Sequence, residues 1–186
     1  VFKTDGQRIM VYGTLVANGT EAQRVLFTSR KATPAPGDWK GVYLGPQAGS
    51  SVLGYVTIEY AGQSTLGYLH WADRNVALMI DYSNAKLDHV TITKSQNQGL
   101  WLFGSTNVIT GCEFSQCGGN AIVAEENSRP AISRALAWAR GSAEGSVSSK
   151  GIPSSDPGSR SADKERSGGW RPFLRKRSLH SLAMIR

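Results

Sequence analysis

Through the first two thirds of the chain, apolar residues recur at i and i+2 in short bursts, separated by Gly, Asn, Ser and Asp. Sliding the sequence on itself superimposes three bursts: Ser51-Val-Leu-Gly-Tyr-Val-Thr-Ile-Glu-Tyr60, Ala85-Lys-Leu-Asp-His-Val-Thr-Ile-Thr-Lys94 and Asn107-Val-Ile-Thr-Gly-Cys-Glu-Phe-Ser-Gln116. Their apolar columns are Leu53/Leu87/Ile109, Val56/Val90/Cys112 and Ile58/Ile92/Phe114. A second set aligns Gly41–Leu44, Ala77–Ile80, Gly99–Leu102 and Ala121–Ala124, with Val42/Leu78/Leu100/Ile122 and Leu44/Ile80/Leu102/Ala124 pointing inward. The later copies stand twenty-two residues apart, while the first two bursts are thirty-four apart, so one coil carries about twelve extra residues.

Alternation of this kind buries one face of a strand. A short repeat cannot bury that face alone, but stacked copies can, with each strand pairing to its equivalent above and below. The pattern therefore predicts an all-β parallel solenoid over residues 9 to about 127, with coils of about 22 residues and two short strands in each. The opening fits: Ile9, Val11, Gly13, Leu15 and Ala17 alternate, Gly19-Thr20 turns the chain, and Val25–Thr28 resumes a strand. Residues 30–38, with two Pro and a Gly, read as a loop. No helical periodicity separates the strands in residues 1–127, which excludes a doubly wound α/β fold.

These residues resemble a known family. Ile9-Met-Val-Tyr-Gly-Thr-Leu-Val-Ala-Asn-Gly-Thr20, Val25-Leu-Phe-Thr-Ser29, Gly37-Asp-Trp-Lys-Gly-Val-Tyr-Leu44 and Val52-Leu-Gly-Tyr-Val-Thr-Ile-Glu-Tyr60 look like secreted bacterial and archaeal right-handed parallel β-helix proteins of the pectate-lyase-like superfamily. The resemblance covers about 120 residues. It implies an extracellular or cell-surface location and a polysaccharide or surface glycan as partner. Polysaccharide lyases, hydrolases and adhesins share this fold, so it leaves the activity open.

Outward residues stack as inward ones do. Tyr43, Met79, Trp101 and Val123 form one outward column, expected to be an accessible platform on which sugar rings stack; the competing expectation is that they cover neighbouring loops. The insertion Gly62-Gln-Ser-Thr-Leu-Gly-Tyr-Leu-His-Trp-Ala-Asp73 adds Tyr68, His70 and Trp71 as ligand-binding candidates, since loops leaving a rigid scaffold commonly carry binding groups. Asp81 aligns with Phe103 and Glu125, which places two carboxylates about 9.6 Å apart for regular stacking. That separation suits an inverting glycosidase, and Asp81 and Glu125 are the catalytic candidates. Resemblance to pectate lyases implies calcium on clustered aspartates beside an arginine, for which Asp73-Arg74-Asn75 and Asp81 are the closest approach. The polygalacturonase motifs Asn-Thr-Asp, Asp-Asp, Gly-His-Gly and Arg-Ile-Lys do not occur. The preferred function is a binding or adhesion module with carbohydrate as its ligand; the alternatives are a lyase or hydrolase fragment and a structural repeat without a ligand.

His89 aligns with Tyr55 and Gly111 beside a turn and reads as an exposed surface histidine. Asn84 and Asn107, with Asn127 close to the next matched position, read as a ladder that satisfies turn backbone groups. Cys112 falls inward as a structural thiol, and Cys112 and Cys117 fit neither zinc nor disulfide spacing.

Charge divides the chain. Residues 1–127 hold nine Lys/Arg and ten Asp/Glu, a net of −1, whereas residues 128–186 hold twelve and four, a net of +8. Nucleic acid is thus not an expected partner of the solenoid. The last 59 residues carry thirteen Ser and six Gly and read as a separate tail, disordered or weakly helical, with a short helix over 131–140. A basic binding tail, a capping helix with a linker, and a frameshifted end to a longer solenoid all fit; the composition change in mid-coil favours the last. The chain opens on Val1, so a processed or truncated start is expected, and no signal peptide or apolar run of membrane-spanning length is visible.

Overall fold

The computed structural model describes residues 1–63 and 75–139, with side chains through Ala137. The chain winds through three strands per turn. The first coil is β1 (Phe2–Thr4), β2 (Arg8–Val11) and β3 (Val16–Asn18); the second is β4 (Val25–Ser29), β5 (Gly41–Leu44) and β6 (Val52–Gly54). The third is β7 (Val56–Glu59), β8 (Val76–Asp81) and β9 (Lys86–Asp88), and the fourth is β10 (Thr91–Thr93), β11 (Gln98–Phe103) and β12 (Val108–Thr110). The fifth is β13 (Glu113–Cys117), β14 (Ile122–Glu125) and β15 (Ala131–Ser133), after which β16 (Leu136–Ala139) begins another.

Equivalent strands pair in parallel and form three sheets. Sheet A runs β1-β4-β7-β10-β13-β16, sheet B β2-β5-β8-β11-β14, and sheet C β3-β6-β9-β12-β15. The registers match the repeat alignment: Ile58, Ile92 and Phe114 are neighbours in sheet A, Val42, Leu78, Leu100 and Ile122 in sheet B, and Leu53, Leu87 and Ile109 in sheet C. These ladders meet on the axis as one apolar core. Cys112 and Cys117 are free thiols within it. Burial raises both, Cys117 to about 11, as a low-dielectric surround disfavours the thiolate. Asn107 also lies inside, donating from Nδ2 to the carbonyls of Ala85 (3.1 Å) and Ser83 (3.3 Å) in the coil before. Asn84 Oδ1 accepts from the backbone and hydroxyl of Thr106, so both asparagines serve the turns as expected.

Two expectations are corrected. Each ten-residue burst is not one strand but two, broken by a residue of positive φ: Tyr55, His89, Gly111 and Arg134 occupy that corner. Tyr60, Lys94 and Gln116 mark the second corner, and Tyr82, Gly104 and Glu126 the third. Side chains in this left-handed conformation lean along the axis onto the next coil. His89 lies over Gly111, where a Cβ would stand 2.9 Å from Nε2, and Tyr82 lies against Gly104 in the same way. Each non-glycine corner costs about 1–2 kcal/mol of backbone strain, and the stacking recovers part of it.

The second correction concerns the end of the repeat. Strand pairing does not stop near residue 127, and residues 131–139 form β15 and β16 rather than a helix. Ile132 continues the Leu87/Ile109 column, and Ala137 follows Phe114. The exposed edges of β12 and β13 template these strands and override the local helical preference of Ala-Leu-Ala-Trp. Residues 140–186 lie outside the described residues, with the rest of the predicted tail.

Loop 30–38 folds back on β4. Asp38 accepts from Ser29 Oγ (2.6 Å), Lys31 Nζ (2.8 Å) and the Ala35 amide (2.9 Å). Burial pushes the Asp38 carboxyl up, but these donors outweigh it and hold the group below its ordinary range.

Candidate functional site

Among the described residues, the outer face of sheet B carries aromatic and carboxylate groups in two columns. Its strands alternate so that Met10, Tyr43, Met79, Trp101 and Val123 form one outward column, in the predicted register. One pleat further on, Asp81, Phe103 and Glu125 form another. Tyr12 and Tyr82 follow β2 and β8, at the corner leading to sheet C.

The expectation of an open Tyr43–Trp101 platform is corrected. Tyr43 is 1% exposed and Trp101 7%, and with Val76 and Met79 they form a second apolar cluster outside the solenoid wall. The column is buried; the competing expectation, that these residues cover neighbouring loops, concerns above all the insertion at 62–73, of which residues 64–73 lie outside the described residues. Alternation marks these residues as outward but carries no signal about what lies over them.

Asp81 belongs to the same covered layer. It is fully buried, and Tyr43 donates its hydroxyl to Asp81 Oδ2 at 2.6 Å. Burial and this hydrogen bond push the Tyr43 phenol well above its usual range. Asp81 and Glu125 do share a column with Phe103 between them, as predicted. Their environments differ, however: Asp81 sits in an apolar layer, whereas Glu125 is half-buried. A buried carboxylate bonded to a phenol is not the open partner that the catalytic pairing of Asp81 with Glu125 calls for, and this corrects that pairing among the described residues. The same burial makes Asp81 a poor ligand for calcium, which takes several oxygen donors and water. Among the described residues no three His, Cys, Asp or Glu side chains converge on a cation site. Asp73, the other metal candidate, and Tyr68, His70 and Trp71 lie outside the described residues.

What the corner between sheets B and C does expose is a pair of tyrosines, Tyr12 at 54% and Tyr82 at 49%. Each is braced edge-on by a ring beneath it: Tyr12 by Tyr43 (centroids 6.0 Å apart, 62° between planes) and Tyr82 by Phe103 (5.3 Å, 82°). The sequence pattern singles out neither, because alternation along β2 and β8 carries no signal for the residue that follows each strand.

A second polar constellation stands at the corner between sheets C and A. The His89 imidazole stacks on Tyr55 with centroids 4.7 Å apart and planes 8° from parallel. Its Nδ1–H donates to Asp88 Oδ1 at 2.8 Å, since an ionised carboxylate only accepts. Arg24 reaches across three coils, donating to Thr57 Oγ1, the Val56 and His89 carbonyls and Thr91 Oγ1. His89 is exposed, as expected, but it is a braced part of the corner rather than a loose surface group. Arg24 is a strap that the sequence did not reveal, because its acceptors lie up to 67 residues away.

With the three parallel sheets and this surface described, comparison with known families places the molecule in a class: residues 46–150 match the model for a right-handed β-helix region. The chain belongs to the right-handed β-helix family, which extends past the predicted boundary at 127. Neither the curated proteins nor the solved structures yield a match to it.

Proposed function

We propose that this protein is an extracellular or cell-surface β-helix module that binds or adheres to carbohydrate, with its contact at the corner between sheets B and C. The observation that supports the reading is the pair of half-exposed tyrosines, Tyr12 and Tyr82, held edge-on by Tyr43 and Phe103. Flat, pre-positioned rings offer sugar C–H faces a stacking surface at small entropic cost, and the phenol hydroxyls reach sugar hydroxyls. They lie on strands two pairings apart in sheet B, on the order of 9–10 Å, so a chain of sugars rather than a single ring would engage both. Glu125, in the Phe103 column, adds a carboxylate acceptor on the same side.

The test is a binding screen of the full chain against a polysaccharide panel, with and without calcium, with reducing ends and unsaturated products monitored. Tyr12→Ala and Tyr82→Ala are each expected to weaken binding roughly three- to tenfold. The insertion residues Tyr68, His70 and Trp71 have the same chemistry in sequence and enter the screen as a triple Ala variant. Binding untouched by either tyrosine variant would refute the corner as the contact. Product formation abolished by Glu125→Gln would replace adhesion with polysaccharide cleavage.

A further inference from the structure

Sheet C presents a different outer face, and its composition repeats from strand to strand. Each strand shows two outward residues flanking an inward one: Val16 and Asn18 on β3, Val52 and Gly54 on β6, Lys86 and Asp88 on β9, Val108 and Thr110 on β12, Ala131 and Ser133 on β15. The pairing register aligns them as two columns, Val16/Val52/Lys86/Val108/Ala131 and Asn18/Gly54/Asp88/Thr110/Ser133. The first is mainly aliphatic and stands out from the sheet, with Val16 66% and Val108 48% exposed. The second is small or polar, and at Gly54 the Asn18 side chain fills the space a Cβ would take. The charged pair sits on β9, the middle strand of the five.

We propose that this face is the interface of a homodimer, formed about a twofold axis that lies between the two copies and parallel to the solenoid axis. Such an axis sets each strand antiparallel to its own copy and carries the first column of one copy onto the second column of the other. Val16 then meets Asn18, Val52 meets Gly54, Val108 meets Thr110 and Ala131 meets Ser133. At the centre, Lys86 of each copy meets Asp88 of the other, which gives two ion pairs. The alternative twofold axis, parallel to the strands, would set Lys86 against Lys86 and valine against valine, and like charges there repel. A face whose central strand is self-complementary in charge satisfies an isologous contact. The exposed Val16 and Val108, with half-buried Val52, are the apolar area that such a contact removes from water. This inference concerns a different face from the proposed glycan contact and stands independently of it.

Sedimentation equilibrium of the full chain over a concentration series tests the assignment, with circular dichroism as the check on folding. The wild type is expected to show a monomer–dimer equilibrium. Lys86→Asp, an exposed substitution, is expected to weaken it tenfold or more by setting acid against Asp88 of the other copy. The exchange Lys86→Asp with Asp88→Lys regenerates both ion pairs and is expected to restore the dimer to within about threefold of wild type. Asp88→Lys alone also removes the contact to His89, so the decisive comparison is Lys86→Asp against the exchange. A wild type monomeric at about 100 µM would overturn the proposal, as that affinity is too weak for a specific pair. A dimer indifferent to Lys86→Asp and Val108→Lys, or a folded exchange variant that stays monomeric, would overturn it as well. So would a monomer whose polysaccharide binding is lost in Val108→Lys, since the face would then belong to the ligand.

Discussion

Sheets B and C are built on the same rule and end in opposite states. Both are five-stranded and parallel, and both turn one residue in two toward the shared core. On sheet B the outward column of Tyr43, Met79 and Trp101 is buried. On sheet C the outward column exposes Val16 and Val108. Strand alternation separates inside from outside but is silent on whether an outside is wet. Covered aromatic mass on sheet B makes that face part of the stable body, while exposed valine on sheet C leaves that face available to a partner.

Substitutions can break this contrast. Trp101→Ala should act as a core truncation and cost about 3–5 kcal/mol, read as a large fall in the midpoint of urea unfolding. A change within about 0.5 kcal/mol would mean that the sheet B column is open after all. Tyr43→Phe removes the donor to buried Asp81 and should cost about 1–3 kcal/mol. Asp38→Asn tests a polar cover in place of an apolar one and should cost about 1–2 kcal/mol at neutral pH. Because the folded Asp38 titrates below its unfolded value, its contribution is full above an unfolded pKa of about 4 and disappears as pH falls through the folded value. The variant should therefore converge on wild type in acid-unfolding curves below that window. Val108→Ala sets the lower bound: for the monomer it should shift stability by no more than about 0.5 kcal/mol.

Much of the wall was legible because the solenoid stacks like on like. Leu53, Leu87 and Ile109 hold the same place in three bursts of like residue type, and their pairing follows the alignment. The corners were not legible. Tight turns are usually sought at Gly and Asn, yet here Tyr55, His89, Lys94 and Tyr82 hold positive φ, and their stacking onto the next coil is a contact no local window contains. The last coil was misread for a related reason. Its spacing lengthens by one residue, with Val108 opposite Ala131, and arginines and serines on its outer side disguise a strand as a polar tail. Of the candidate surface, Asp81, Phe103 and Glu125 were placed in the right column, but the burial of Asp81 depends on layers above the sheet that periodicity does not encode.

The uneven coil lengths carry a consequence for how the molecule comes together. Contacts in sheet C span 36 residues between β3 and β6, 34 between β6 and β9, and only 22 between β9 and β12. Closing the longer loop costs about 0.4 kcal/mol more chain entropy for each such contact. The compact coils from Lys86 to Thr110 are therefore the cheapest place for a nucleus, and each further turn has a finished neighbour to pair with. Folding then spreads outward from the fourth coil, and the second and third coils, with their longer connections, close after it.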